Sequence, residues 1–112
     1  MEIVISSEGQ TLESQPSLRF GRAPYFIKFD LEKETWEAIQ NPAIDQSGGA
    51  GIRAAQTIID QNISNVLSGR FGPNAQRALT AAGIKLTVFN GNYHSINEII
   101  DAFKNNELNE QE

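Results

Sequence analysis

The stretch from Ser68 to Gly83, SGRFGPNAQRALTAAG, constrains the chain most, because it carries a turn, a helix start and a helix stop in succession. Ahead of it, Ile63 to Leu67 is short and β-branched at two of its five positions, and reads as a strand. Gly69 and Gly72 let the chain turn tightly, and the fixed φ of Pro73 suits the first helical position, where a missing N–H costs nothing. Ala75, Ala78, Leu79 and Ala82 then recur at the spacing of one buried helical face, until Gly83 ends it. A helix start behind a glycine-rich turn presents unpaired N–H groups and the positive end of the dipole, here with Arg70 and Asn74 beside it. That makes an anion site. The same residues also serve as plain punctuation of a β-α-β crossover, and this stretch alone favours the plainer reading.

The rest of the chain supplies partners for that unit. Glu2 to Ser6 is an apolar run that reads as a buried strand. Tyr25 to Asp30 and Thr35 to Gln40 are rich in aromatic and branched residues, and the charged link LEKE joins them as a hairpin. After the turn-forming loop Asn41 to Gly51, residues Ile52, Ala55, Ile58 and Ile59 have helical spacing. Ile84 to Phe89 alternates as a strand, and NGNYH turns the chain. Ser95 and Glu98 form a capping box before Ile96, Ile99, Ile100 and Phe103. The order β-β-β-α-β-α-β-α defines an α/β fold with a mixed five-stranded sheet and three helices.

At 112 residues the chain forms one domain, taken as 1–104, with 105–112 an acidic tail expected to be frayed and disordered. Net charge is −5, and setting aside Glu107, Glu110 and Glu112 leaves nine basic against eleven acidic residues. Such a balance argues against nucleic acid as the main partner. No apolar run approaches a membrane span, and the acid at Glu2 is unlike the basic start of a signal peptide, so a cytoplasmic, membrane-free protein is expected. Without cysteine, thiolate-held metal sites are excluded.

Gly49-Ala50-Gly51-Ile52-Arg53-Ala54 formally matches G-x-G-x-x-A, but no strand runs into it and the next strand ends in Ser68 and Gly69 rather than an acid, so a dinucleotide cofactor is rejected. All five arginines, at 19, 22, 53, 70 and 77, lie in or beside the glycine-containing segments, whereas the four lysines lie elsewhere. Arginine is the side chain for forked recognition of carboxylate or phosphate, so an anionic ligand is implied; solvated surface arginines explain the placement equally well. His94 is the sole histidine and reads as a helix-entry residue near Ile99, since one imidazole cannot hold zinc. Asp30, Asp45 and Asp60 are scattered, and no nucleophile–base arrangement is present, so no catalytic residue is assigned.

Three ordered motifs carry a resemblance. Phe20-Gly21-Arg22-Ala23-Pro24-Tyr25-Phe26, then Gly49-Ala50-Gly51-Ile52 with Ala55-Gln56, then Gly69 with Gly72-Pro73-Asn74-Ala75 and Ala82-Gly83-Ile84 resemble the dinitrogenase iron-molybdenum cofactor biosynthesis family of NifX, NafY and the C-terminal domain of NifB. The resemblance implies a ribonuclease H-like motif with strand order 3-2-1-4-5 and strand 2 antiparallel to the rest. It also implies that the motifs meet at one sheet edge, around a large anionic cluster passed between cofactor-assembly proteins or to a nitrogenase-like acceptor. The chain departs from it where many members carry histidine: Arg19 stands before FGR and Gly49 before the second motif, leaving His94 as the only imidazole.

The resulting expectation is a non-enzymatic carrier or accessory protein for an iron-molybdenum cofactor or iron-sulfur precursor. Arg22, Arg53 and Arg70 would supply charge, and the segments at Gly49, Gly51, Gly72 and Asn74 would supply N–H donors, with His94 at the same edge. The alternative is a protein–protein interaction module that has lost the cluster, acting through an apolar patch that includes Phe71 and Tyr93. A small hydrolase for a phosphorylated compound is the remote third class.

Overall fold

Alternating buried side chains along the first strand set the architecture: Val4 packs to one side of the sheet, Ile3 and Ile5 to the other, and all three are fully buried. A strand apolar on both faces needs cover on both. The computed structural model describes residues 1–111 and supplies that cover with helices on opposite faces. Its elements are β1 (Glu2–Ser7), a 3-10 turn (Phe20–Arg22), β2 (Tyr25–Asp30), β3 (Trp36–Gln40), α1 (Ala50–Ile59), β4 (Asn65–Ser68), α2 (Pro73–Ala81), β5 (Lys85–Val88), α3 (Ile96–Lys104) and β6 (Asn109–Glu110).

The sheet order is β3-β2-β1-β4-β5-β6. β1 pairs with β4 and β4 with β5 in parallel, while β2 runs antiparallel to both β1 and β3. The expected count of five strands is corrected to six. Asn109 and Glu110, in the acidic segment read as frayed, pair antiparallel with Val88 and Thr87, and the Gln111 N–H extends this by donating to Leu86 O at 2.9 Å. The signal was missed because a polar two-residue strand on a sheet edge needs only backbone pairing and leaves no hydrophobic period. Glu112 lies outside the described residues.

Helices α1 and α2 cover Val4, Phe26, Val66 and Leu86 with Ala54, Ala55, Ile58, Ala75 and Leu79. On the opposite face α3 places Ile96, Ile99 and Ile100 over Ile3, Ile5, Ile27 and Leu67. Each large aliphatic side chain so buried contributes about 1.5–3 kcal/mol. Phe71, expected in an exposed edge patch, is only 7% exposed; its ring lies 5.4 Å from that of Phe20, which is itself 5.1 Å from Phe26. An aromatic next to a glycine turn plugs the top of the core here instead of facing solvent. No described helix is long and apolar enough to cross a membrane.

Candidate anion-binding cleft

Three chain segments distant in sequence converge where β1 and β4 end. The Phe20 N–H donates to Arg70 O at 3.0 Å, joining the FGR turn to the segment after β4. A Cβ added to Gly21 would lie 3.3 Å from the Gly51 Cα, and one added to Gly51 would lie 3.4 Å from the Ala75 Cβ, so these glycines set the closeness of turn, α1 and α2. Gly69 is tighter still: a Cβ there would meet the Leu18 carbonyl oxygen at 2.8 Å and the Leu18 Cα at 2.9 Å. Beneath them Asn41 is fully buried; its Nδ2 donates to Ala23 O at 2.8 Å and its Oδ1 accepts from the Ala43 N–H at 2.9 Å, fixing the exit of the FGR turn. Ser6 Oγ donates to Ser17 O at 2.7 Å and lies 2.8 Å from Ser68 Oγ, tying the ends of β1 and β4 to the loop above.

The result is a cleft of about 300 Å³ lined by Arg19, Phe20, Gly21, Arg22, Ala50, Gly51, Arg70 and Gly72. Both neighbouring helices begin at this cleft without a side-chain cap. The N-cap of α1 is Gly49, at φ 71°, a left-handed conformation that a Cβ disfavours; the N-cap of α2 is Gly72, followed by Pro73. The amides of Ala50, Gly51 and Ile52 in α1, and of Asn74 and Ala75 in α2, have no acceptor among the described residues. Each helix start carries roughly half a positive charge.

The arginines add whole charges. Every salt bridge among the described residues uses a lysine or the N-terminal amine, and none uses an arginine. Arg22 Nη1 donates to Gln46 O at 2.7 Å, and Arg53 Nη1 to Gln46 Oε1 at 3.2 Å. Gln46 therefore steadies two guanidiniums without neutralising either. Neither Gln46 nor Asn41 carried a sequence signal, since both act through contacts with distant backbone; Arg19 stood in the arginine pattern but was not assigned to the site.

Of the residues assigned to the site from sequence, Arg22, Gly51, Arg70 and Gly72 line the cleft. Gly49 lies beside it as the α1 N-cap, and Arg53 is exposed on the same helix. Asn74 contributes its first-turn amide, while its side chain accepts a hydrogen bond from Arg77. His94 is not brought into the cleft: it is exposed at the entrance to α3 on the other face, its N–H donating to Glu98 Oε1 at 3.1 Å. The NGNYH turn does reach this edge, where a Cβ added to Gly91 would lie 3.7 Å from Leu18 Cδ1, but none of its residues lines the cleft. Among the described residues there is no cluster of three or more histidine, cysteine, aspartate or glutamate side chains able to hold a metal ion.

The fold and cleft define a small α/β domain with an arginine- and glycine-lined cleft at one sheet edge. The chain belongs to the dinitrogenase iron-molybdenum cofactor family, whose profile matches residues 1–106. It is similar to the apo form of the orange protein from Desulfovibrio gigas, with 31% identity and a TM-score of 0.92 over 98% of this chain and 92% of that one. It is also similar to a candidate NifB protein from Thermotoga, solved by NMR, with 35% identity and a TM-score of 0.85 over 97% of this chain and 91% of the other. No curated protein matches the chain.

Proposed function

We propose that this chain is a non-enzymatic carrier or accessory protein for an anionic metal cluster, either the iron-molybdenum cofactor or an iron-sulfur precursor, on a ribonuclease H-like frame in the cytoplasm. One observation carries the reading: three arginines without carboxylate partners and two uncapped helix starts converge on a single cleft. Family membership and the NifB-type relative support the nature of the cargo.

The chemistry required is capture and release. Arg19, Arg22 and Arg70 supply long-range attraction and forked hydrogen bonds, and the amides near Gly51 and Gly72 supply fixed short-range donors. Holding by charge and N–H donors leaves no protein–metal bond to break, so cargo passes to an assembly protein or nitrogenase-like acceptor by competition between surfaces. Such a hold weakens with salt, because exposed charges are screened beyond about 8–10 Å at moderate ionic strength. The test is an anaerobic titration of isotope-labelled protein with iron-molybdenum cofactor and its precursor, followed by backbone amide NMR. Line broadening confined to the neighbourhood of Arg22, Gly51 and Arg70 is expected; an unchanged spectrum overturns the carrier reading.

Leu18 and Ile52, 46% and 39% exposed, favour a second reading in which the same edge docks a protein and carries no cluster. Light scattering that detects complex formation abolished by Leu18→Ser, yet indifferent to Arg22→Ala and Arg70→Ala, would select it.

A further inference from the structure

The two edges of the sheet are built differently. At one, β6 is two polar residues long, and so short a strand gives another chain little to pair with. At the other, β3 runs for five residues, Trp36 to Gln40, and pairs with β2 in a continuous register without a bulge. It contains no proline or lysine, and its one charge, Glu37, lies 4.0 Å from Lys28 Nζ on β2. Trp36 is 41% exposed, and Ala38 and Ile39 are half-buried on opposite faces of the sheet. Chains that stay monomeric blunt such an edge with charge, proline or a bulge, and β3 has only Glu37.

Hydrogen-bond alternation fixes which groups this edge offers. The Asp30 N–H donates to Thr35 O at 2.9 Å and the Asn41 N–H to Pro24 O at 3.0 Å, marking bonded pairs at both ends of the hairpin. Between them Lys28–Glu37 and Phe26–Ile39 are the bonded pairs, so the N–H and C=O groups of Trp36, Ala38 and Gln40 point outward. None of these groups has a partner among the described residues.

We propose that β3 pairs with β3 of a second copy of this chain, antiparallel, with the two-fold axis between the two Ala38 residues, so that two sheets become one. An outward residue bonds only another outward residue, which restricts the axis to a few registers. Centred on Ala38, the pairing matches Trp36 with Gln40 and Ala38 with itself, uses every outward group, and sets Glu37 across from Ile39. Centred on Glu37, it would oppose two like charges; centred on Ile39, it would set Trp36 against Pro42, which has no N–H to give. In the favoured register each Trp36 lies diagonal to Ala38 of the other copy, whose methyl group leaves room for the indole. The axis is perpendicular to the sheet, so the two arginine clefts open in opposite directions and both stay free. Nothing in this pairing depends on the cargo assigned to the cleft.

The experiment follows the full chain over a wide concentration range by light scattering and by the emission of Trp36, the only tryptophan. The mass should rise from one chain toward two, and the emission should move to shorter wavelength in step as the indole is covered. Ala38→Pro removes an outward N–H at an edge position that tolerates proline, and should give a folded monomer. Ile39→Lys and Ile39→Glu lose the same apolar contact, but Glu37 of the other copy attracts one and repels the other. At moderate salt, where distant charges are screened, Ile39→Lys should associate about tenfold more tightly than Ile39→Glu. Leu18→Ser and Arg70→Ala, at the cleft, should leave association unchanged. A mass that stays at one chain up to the solubility limit overturns the proposal and leaves the edge to a strand of a different protein. So does association by a folded Ala38→Pro variant equal to that of the parent, or equal association by the two Ile39 variants.

Discussion

At the start of α3, Ser95 Oγ accepts from the Glu98 N–H at 3.2 Å, Glu98 accepts from the His94 N–H, and the amides of Ile96 and Asn97 donate to Ser14 O and Leu12 O at 2.9 and 3.0 Å. Nothing is left over. At the starts of α1 and α2, on the other face, glycine stands where a capping side chain would be, and five amides remain without an acceptor among the described residues. A closed helix start packs; an open one is available to a ligand. The placement of arginine follows the same division: Arg22 and Arg70 sit beside the open ends, whereas the residue before the closed end is His94.

The largest expected effect on this contrast is electrostatic. The double change Arg22→Ala, Arg70→Ala should lower affinity for the cluster by about a hundredfold, since two charge-assisted hydrogen bonds contribute about 3 kcal/mol together. Titration at two salt concentrations checks it; an unchanged affinity would show that the guanidiniums are bystanders. On the packed side, Ile99→Ala should cost about 3 kcal/mol in urea unfolding through the cavity it leaves, with binding retained. Gly69→Ala should cost about 2 kcal/mol, because its methyl meets the Leu18 backbone, and should also distort the cleft.

Smaller changes sharpen the comparison. Ser95→Ala removes the cap of α3 and should cost about 1 kcal/mol with no loss of binding. Gly72→Asp is the mirror experiment: the site has an extended backbone and open space, so the new carboxylate can cap α2, raising stability by a few tenths of a kcal/mol while cutting anion affinity. A gain in both would mean that the α2 amides are not part of the site. The smallest effect concerns Glu34, whose carboxyl is held below its usual range first by a hydrogen bond from Lys104 Nζ at 2.8 Å and then by that ammonium's charge. A lowered folded pKa stabilises above the unfolded value and fades as pH falls through the folded one. The difference between the parent and Glu34→Gln in thermal melts should therefore be slight at neutral pH and vanish in acid.

Much of this frame was legible beforehand because its signals are local. The Ser95–Glu98 box, Pro73 at the first position of α2 and the charged link of the β2–β3 hairpin each act within a few residues, and the structure realises all three. What escaped was non-local. Gln46 matters through reach to Arg22 and Arg53, Asn41 through its grip on the FGR turn, and β6 through backbone pairing alone. The strand order that the family resemblance implies placed the arginine-bearing motifs at one edge, but the separation of His94 from them depends on which face α3 covers, and no spacing along the chain encodes that.

The bond from the Phe20 amide to the Arg70 carbonyl has a thermodynamic consequence. It joins segments fifty positions apart, so the cleft exists only when the sheet between them is assembled, and partly folded forms contain no version of it. Cargo that binds there binds the native state alone, and mass action then raises the unfolding free energy by about 1.4 kcal/mol for each tenfold excess of free ligand over its dissociation constant. The loaded protein should melt as one unit at a higher temperature, and handing over its cargo should return it to the lower one.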